Sequence, residues 1–440
     1  MTGQAEHWVV SNDRAVTTAT CDRELVVDVM GDCSGNFDEV GASALETPEP
    51  VSGELLHYVG EAVQSFAFEL YQTLPDAENV VFSPYAIFNA LALLHAGASG
   101  EAAAEVQAML GLELPGEDLH GALHCTREEL LSLRGLGAEP AECFRFDSFN
   151  QLWGQRGVQW EQDFLGMLAT FHDAGVKQLD LRGAPQQAAD VFARWLEART
   201  GHVAGTRSAS TTGTACGPAV DNGSLAVSNA ALFEARWAHP FDAHWSTEGA
   251  FHTLDGTTVQ VPFLRHGRDQ RLAYTSAQNY EAVVLPYSDA PIDFIVVLPE
   301  QGALSDVESA LSEEMLEEAL MVEPRPVRLN LPRFEFSALI DLRDCLSRLG
   351  VHELFSAEAD FSLMASESLA LSAVQHQARV RVDELGTTRA VAPGPVALGV
   401  CPAEEAICLS VDRPFLFFIH HRTTSQLLFM GRVVNPALGG

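Results

Sequence analysis

The sequence is poor in basic residues: 26 lysines and arginines stand against 60 aspartates and glutamates, and the net charge at pH 7 is -34. Such a surface repels phosphate backbones and anionic lipids, so we expect neither a nucleic-acid nor a membrane partner. The same balance weighs against heparin-like polyanions. We interpret the acidity as that of a solvated, soluble surface, with steering of basic partners as the alternative.

Long apolar runs and internal repeats are also missing. No stretch of about eighteen apolar residues occurs, and we therefore expect no helix that spans a bilayer. The lack of a repeat of fixed period excludes solenoids and propellers. The first residues, Met1 to His7, have neither the basic region nor the apolar core of a secretory signal, so we expect no such signal in this chain.

Cysteines are few and scattered, since there are 8 of them and no CxxC pair. This pattern argues against a zinc ribbon or a thioredoxin-type site. A chain of this length can stabilise its core without disulfides, so we expect mostly buried or idle thiols, with Cys401 and Cys408 as the exceptions.

Enzyme signatures are absent as well. There is no GxSxG elbow, HExxH helix, P-loop or kinase motif set, and the carboxylates show no spacing typical of an acid/base pair. Histidines such as His239, His266, His420 and His421 are interpreted as surface or core residues and not as ligands. We therefore expect no enzymatic activity, no metal site and no cofactor.

What is present is a chain of 440 residues with 47% hydrophobic content, enough for a substantial core. The polar, mixed composition of residues 1–53 predicts a mobile N-terminal extension. A helical period follows and stops at Pro75. Ser83 and Pro84 then predict the start of a buried helix, because serine is a good N-cap and proline suits the first turn.

Further along the chain, patterns of helical period and of strand period are mixed. Residues 201–217 predict a loop, residues 225–298 a series of strands, residues 305–320 one helix, and residues 325–336 one alternating strand. Because helices come early, strands come later and no regular strand–helix alternation occurs, we predict the α+β class with large, mainly antiparallel sheets.

A long connection separates the strand-like runs 374–382 and 413–420 near the C-terminus. It has about thirty residues without a helical period, which is far above the usual loop length. A connection of this kind is either disordered or functional, and we favour function.

Five motifs stand out along the chain: residues 79–84 with the helix that follows, 228–242, 329–334, 384–387, and 413–415 together with 429–436. In order and spacing they resemble the motifs of the serpins over roughly residues 54 to 437. We therefore interpret residues 54–440 as a single domain of this kind.

The resemblance implies a metastable fold with about nine helices, three mainly antiparallel sheets and an exposed reactive loop, here about residues 384–411. It implies a suicide inhibitor of serine proteases, with cysteine proteases as a further possibility. After cleavage, the loop inserts into the main sheet and carries the protease with it. We expect a monomer outside the cell, with a cytoplasmic location as the alternative.

The same resemblance implies a site of cleavage. Counting from the hinge puts the reactive bond at Val400–Cys401, and a shorter distal segment would put it at Ala403–Glu404 as the second choice. Either bond offers a small aliphatic residue to the protease, which suits elastase-like enzymes better than trypsin-like ones.

The hinge that would insert first also contains residues that oppose insertion. In the inserted strand, Arg389, Pro393 and Pro395 would face the core or lack a backbone donor, which disfavours insertion. The alternative is therefore a non-inhibitory serpin that is cleaved without trapping its protease, or that serves as a binding or chaperone protein. The hinge residues are Glu384, Gly386, Thr387, Thr388, Arg389, Ala390, Val391 and Ala392.

Two further groups follow from the resemblance. Ser83, Asn229 and His376 would form the shutter, a hydrogen-bonded cluster beneath the main sheet where that sheet opens. Ala86 stands where a second serine is common in the family. Trp237 would lie at the breach, the upper end of the same sheet.

Overall fold

Helices and strands follow one another irregularly, which confirms the predicted α+β class. A computed structural model describes residues 37–43, 48–111, 113–134, 144–200, 223–288, 290–387 and 406–438. The predicted loop at residues 201–217 thus lies outside the described residues. The described ranges contain nine α-helices: α1 Gly53–Tyr71, α2 Pro84–Gly97, α3 Gly100–Leu110, α4 Gly116–Ser132, α5 Gln162–His172, α6 Pro185–Thr200, α7 Leu304–Ser309, α8 Glu313–Met321 and α9 Arg343–Arg348.

The strands of the described chain contribute two hydrogen-bonded networks. They are β1 Asp38–Val40, β2 Val80–Phe82, β3 Arg145–Gln155, β4 Val176–Leu179, β5 Leu225–Arg236, β6 Thr247–His252, β7 Thr258–Arg265, β8 Gln270–Ser276, β9 Tyr280–Pro286, β10 Ile292–Pro299, β11 Arg325–Pro332, β12 Phe334–Asp341, β13 Leu371–Val382, β14 Gly386–Thr387, β15 Ile407–Ser410, β16 Phe415–His421 and β17 Gln426–Val433.

The first network is a 7-stranded sheet, which we call the main sheet. Its order is β1-β4-β3-β5-β13-β12, and the short strand β14 pairs with β5 outside this path. The two central strands, β5 and β13, run parallel and are paired directly with each other. An added strand between them would have to part this pairing.

The second network contains 10 strands in the order β2-β17-β16-β10-β9-β8-β11-β7-β6, with β15 beside β11. Strand β8 pairs with β9 in one ladder and with β11 in another, so the network consists of two sheets that meet at β8. Together with the main sheet, these two sheets make the three that we predicted. Among the described pairs only β3–β4, β5–β13 and β11–β15 are parallel.

Helix α2 lies in the core, in contact with β17 and with β3 and β5 of the main sheet. It starts as the sequence predicts: the Ser83 hydroxyl oxygen accepts the N–H of Ala86 at 3.3 Å, and Pro84 occupies the first turn. Every residue from Pro84 to Leu94 is buried, as expected for a helix that is apolar all round. No helix in the described ranges, α2 included, has the length and apolarity needed to cross a membrane.

Two predicted elements are wrong because local patterns do not show where a chain changes partner. Residues 325–336 form two strands, since β11 ends at Pro332 and β12 starts at Phe334 in a different sheet. Alternation continues through the break because both strands present one face to the core. Residues 305–320 form helices α7 and α8, separated by Ser312 in an extended conformation.

The stretch that we assigned to a mobile extension, residues 1–53, contains strand β1. It pairs antiparallel with β4 at one edge of the main sheet. The Lys177 ammonium lies 5.0 Å from the centre of the Phe37 ring, and Arg156 lies 3.3 Å from the Asp38 carboxylate. Sequence analysis missed this strand, because three residues are too few to produce a readable alternation.

Candidate functional site

The predicted hinge turns back into the main sheet at the end of β13. Strands β13 and β5 are paired as far as Arg379. Beyond that point β14 lies beside β5 and runs antiparallel to it, with Gly386 opposite Arg236 and Thr387 opposite Ala235. Two residues of the hinge are thus already part of the sheet.

Trp237 holds the hinge through two hydrogen bonds. Its backbone N–H donates to the carbonyl oxygen of Leu385 at 2.9 Å, and its indole N–H donates to the carbonyl oxygen of Asp383 at 3.0 Å. The N–H of Phe241 donates to the Glu384 carbonyl oxygen at 2.8 Å. Three consecutive carbonyl groups of the hinge therefore have donors from one short segment, residues 237–241.

The side chains around β14 are buried and closely packed. Tyr287 stacks on Trp237, with ring centroids 4.6 Å apart, and its hydroxyl lies 2.8 Å from the hydroxyl of Thr387. Burial raises the pKa of Tyr287 well above its ordinary value, so the phenol keeps its proton. A Cβ on Gly386 would lie 2.0 Å from the Ala235 carbonyl oxygen, so only glycine allows this close approach.

Glu384, the glutamate of the hinge motif, makes a long ion pair with Arg333. The Arg333 Nη1 and Glu384 Oε2 atoms are 3.9 Å apart, and the arginine is largely exposed. A pair with this geometry contributes little free energy, because water screens it. The hinge is held by its backbone hydrogen bonds more than by this charge pair.

The three residues assigned to the shutter come together in the structure. Asn229 of β5 and His376 of β13 are register partners, and the His376 Nδ1–H donates to the Asn229 Oδ1. The backbone N–H of Ser83 donates to the His376 Nε2 at 3.0 Å. This cluster therefore joins the two central strands of the main sheet to the start of helix α2.

The cluster extends to β3 through Asn150. The Asn229 side-chain amide donates to the Asn150 Oδ1 and, at 3.0 Å, to the carbonyl oxygen of Ala86. Asn150 and Asn229 are opposite each other in the sheet, so three polar side chains form a row across β3, β5 and β13. Ala86 has no side-chain hydroxyl to contribute, but its backbone carbonyl oxygen takes part in the cluster.

The hydrogen bonds of His376 fix its neutral form. One ring nitrogen must carry a hydrogen to donate to Asn229, and the other must be bare to accept from Ser83. A second proton would point at the Ser83 N–H. Burial lowers the pKa of His376 to about 3, in agreement with this geometry.

Sequence reasoning missed Asn150, Tyr287 and Asp383 as members of these clusters. Asn150 had only a weak signal, since neighbouring residues of the same strand, Ser148 and Gln151, are also polar. Tyr287 and Asp383 had none, because their contacts join segments that are far apart in the sequence. Pairings of this kind cannot be inferred from local periodicity.

The remaining predicted site residues lie outside the described residues. No group of three or more histidine, cysteine, aspartate or glutamate side chains in the described ranges is placed to hold a metal ion. The residues outside the description are Thr388, Arg389, Ala390, Val391, Ala392, Val400, Cys401, Ala403 and Glu404.

A family model described as Serpin (serine protease inhibitor) matches residues 61–436. The chain belongs to the serpin family. An uncharacterised serpin-like protein of Thermococcus kodakarensis is 32% identical to this serpin over 386 residues, which cover 87% of this chain and 86% of the relative. Bovine leukocyte elastase inhibitor is 29% identical, over 84% of this chain and 97% of the relative.

A solved structure, human thyroxine-binding globulin in complex with its ligand, is similar to this serpin with a TM-score of 0.73. The sequence identity is 27%, and the match covers 87% of this chain and 99% of that chain. The similar proteins thus include one named as an elastase inhibitor and one named as a binding globulin, so membership of the family alone leaves the activity of this serpin open.

Proposed function

We propose that this serpin is a suicide inhibitor of serine proteases and not an enzyme: a protease cleaves the reactive loop, and the loop then inserts between β5 and β13. The position of β14 is the observation that supports this proposal most strongly. A strand added between two parallel strands can run antiparallel to both, and β14 already has this direction beside β5. Insertion replaces one hydrogen-bonded ladder with two, which favours the inserted state.

The register of β14 predicts what each later residue of the loop would meet. In an antiparallel pair, each step forward along the loop is one step back along β5. Pro393 comes six residues after Thr387, and Asn229 comes six residues before Ala235, the partner of Thr387. Pro393 would therefore lie opposite Asn229, and it would have to part the hydrogen bond between Asn229 and His376.

The same register identifies the main obstacle to insertion. Arg389 comes two residues after Thr387 and would lie opposite Phe233, which is 2% exposed. Burying a guanidinium without a partner costs at least several kcal/mol, unless the side chain reaches water or a carboxylate. Insertion past this residue would be slow, and a slow insertion gives water time to hydrolyse the acyl-enzyme.

The loop sequence supports an elastase-like target. Cleavage at Val400–Cys401, or at Ala403–Glu404 as the second choice, would present a small aliphatic side chain to the primary pocket of the protease. A shallow apolar pocket accepts such a residue, whereas a pocket with a buried aspartate selects a basic one. The name of the bovine relative, leukocyte elastase inhibitor, is consistent with this specificity.

A non-inhibitory role is the second candidate. Arg389 and the two prolines, Pro393 and Pro395, favour it, because each proline removes a backbone donor from what would become a central strand. Thyroxine-binding globulin is a family member whose structure was solved with a bound small molecule. On this alternative the loop is cleaved but the protease is released.

Incubation with pancreatic elastase and electrophoresis in SDS would separate the two candidates. Trapping gives an SDS-stable band at the summed mass of the two proteins, and elastase with its catalytic serine blocked serves as the control that gives none. Cleavage of the loop without such a band would overturn the proposal and leave the non-inhibitory role. Loop insertion would also raise the melting temperature of the cleaved protein.

A further inference from the structure

The carboxylate of Asp383 closes the turn between β13 and β14. Its Oδ1 accepts the backbone N–H of Leu385 at 2.9 Å and that of Gly386 at 3.3 Å. In addition, the Asp383 N–H donates to the Gly386 carbonyl oxygen at 2.9 Å. Only Glu384 and Leu385 lie between the two bonded residues, so the chain reverses its direction within a short turn and β14 then pairs with β5.

Asp383 is buried, with 4% of its surface exposed, and its charge is compensated. Its Oδ2 lies 3.3 Å from the Nε of Arg381, a residue of β13. The same Nε lies 3.7 Å from the Oε2 of Glu335 on β12, and Arg379 also contacts that glutamate. The turn is therefore tied to both strands at this edge of the main sheet.

We infer that Asp383 is a positioning residue for loop insertion: it holds the hinge in a preformed turn with β14 beside β5, so that insertion starts from a formed pair. The inference rests on the proposed inhibitory function. Without the turn, the chain would have to reverse its direction and find its register before the first pair could form. With the turn in place, each further residue is added next to an existing pair.

Because insertion competes with hydrolysis of the acyl-enzyme, the effect of Asp383 on the insertion rate can be measured. Slower insertion leaves the acyl-enzyme open to water for longer, so more serpin molecules are cleaved for each protease that is trapped. The first encounter with the protease depends on the loop sequence around the reactive bond, which Asp383 does not change. Asp383 should therefore affect the ratio of cleaved to complexed serpin without affecting the association rate.

The test compares Asp383→Ala with Asp383→Asn, in the full chain and with pancreatic elastase. The alanine variant loses both accepted hydrogen bonds, and about 1.4 kcal/mol for that loss corresponds to an insertion about tenfold slower. The ratio of cleaved to complexed serpin should rise by about that factor. Asparagine keeps an oxygen at Oδ1 and should restore most of the wild-type ratio.

Asp255→Ala is the matched control, because Asp255 closes the turn between β6 and β7 in the same way. Its Oδ1 accepts the Thr257 N–H at 3.0 Å and the Thr253 hydroxyl at 2.5 Å. This variant should keep the wild-type ratio even if it lowers the melting temperature. An unchanged ratio in Asp383→Ala, or an equal rise in Asp255→Ala, would overturn the inference.

Amide hydrogen exchange provides a second readout that does not depend on trapping. The N–H groups of Leu385 and Gly386 should be protected in the wild type and in Asp383→Asn, and should exchange at least tenfold faster in Asp383→Ala. Equal protection in all three proteins would refute the preformed turn. If the wild type forms no complex with elastase, the proposed function fails, and exchange alone decides whether Asp383 holds the hinge.

Discussion

His376 makes the stability of the native state depend on pH in a direction that its geometry fixes. Its pKa in the folded protein is about 3, whereas an unfolded chain has the ordinary value of 6.5. Below pH 6.5 the His376 imidazole binds a proton in the unfolded state but stays neutral in the folded state. His376 therefore costs no stability above pH 6.5, and it lowers the free energy of unfolding progressively as the pH falls from 6.5 toward 3.

The size of the effect at pH 5 follows from these two values. That pH is about 1.5 below the unfolded-state pKa and well above the folded-state pKa, and 1.36 kcal/mol for each pH unit gives a loss of about 2 kcal/mol. His120, His420 and His421, whose pKa values burial lowers to about 4, add to the total loss. They add equally to any variant that leaves them in place.

His376→Gln isolates the contribution of this one side chain, since glutamine can donate to Asn229 and accept from Ser83 but cannot be protonated. Urea unfolding followed by tryptophan fluorescence at pH 7.5 and pH 5 gives the free energy of unfolding. The variant should lose about 2 kcal/mol less than the wild type between these pH values. His244→Gln, at an exposed site, should behave as the wild type. Equal losses in His376→Gln and the wild type would refute the reasoning.

Three further substitutions have defined outcomes. Gly386→Ala places a Cβ 2.0 Å from the Ala235 carbonyl oxygen, so it should displace β14 from β5 and weaken the SDS-stable band. A band of wild-type intensity would mean that the position of β14 is not needed for trapping. Arg389→Ala removes the charge that insertion would bury, so it should raise the ratio of complexed to cleaved serpin at least tenfold. An unchanged ratio would mean that Arg389 does not limit insertion. Val400→Arg should shift inhibition from elastase to trypsin; cleavage by trypsin elsewhere in the loop would contradict the assigned bond.

The parts of the fold that local chemistry specifies could be predicted from the sequence. Ser83 and Pro84 predicted the start of α2, because an N-cap and a first-turn proline act within a few residues. The serpin motifs led us to assign Glu384 to a hinge and Asn229 and His376 to a shutter, and these roles stay predictions. The structure adds that the shutter residues are register partners, which explains why they touch.

What could not be predicted depends on pairing between distant segments. The end of β11 at Pro332 looks local, but the change of sheet that follows it depends on partners elsewhere in the chain. Tyr287 is an ordinary aromatic residue in the sequence, and only the approach of Thr387 gives its hydroxyl a role. The Asp383 carbonyl oxygen likewise accepts from the indole N–H of Trp237, a residue 146 positions away in the sequence.

Strand β1 determines where the main sheet is exposed to other molecules. An uncovered edge strand offers free backbone groups to a second chain, and such edges are common starting points for aggregation. Here β1 covers β4 and is itself the edge strand, where Asp38 of β1 and its partner Arg156 place charges. At the opposite edge, β12 carries Leu339 with 43% of its surface exposed. Aggregates that grow from an edge of the main sheet should therefore form at β12, and a charged residue in place of Leu339 should suppress them.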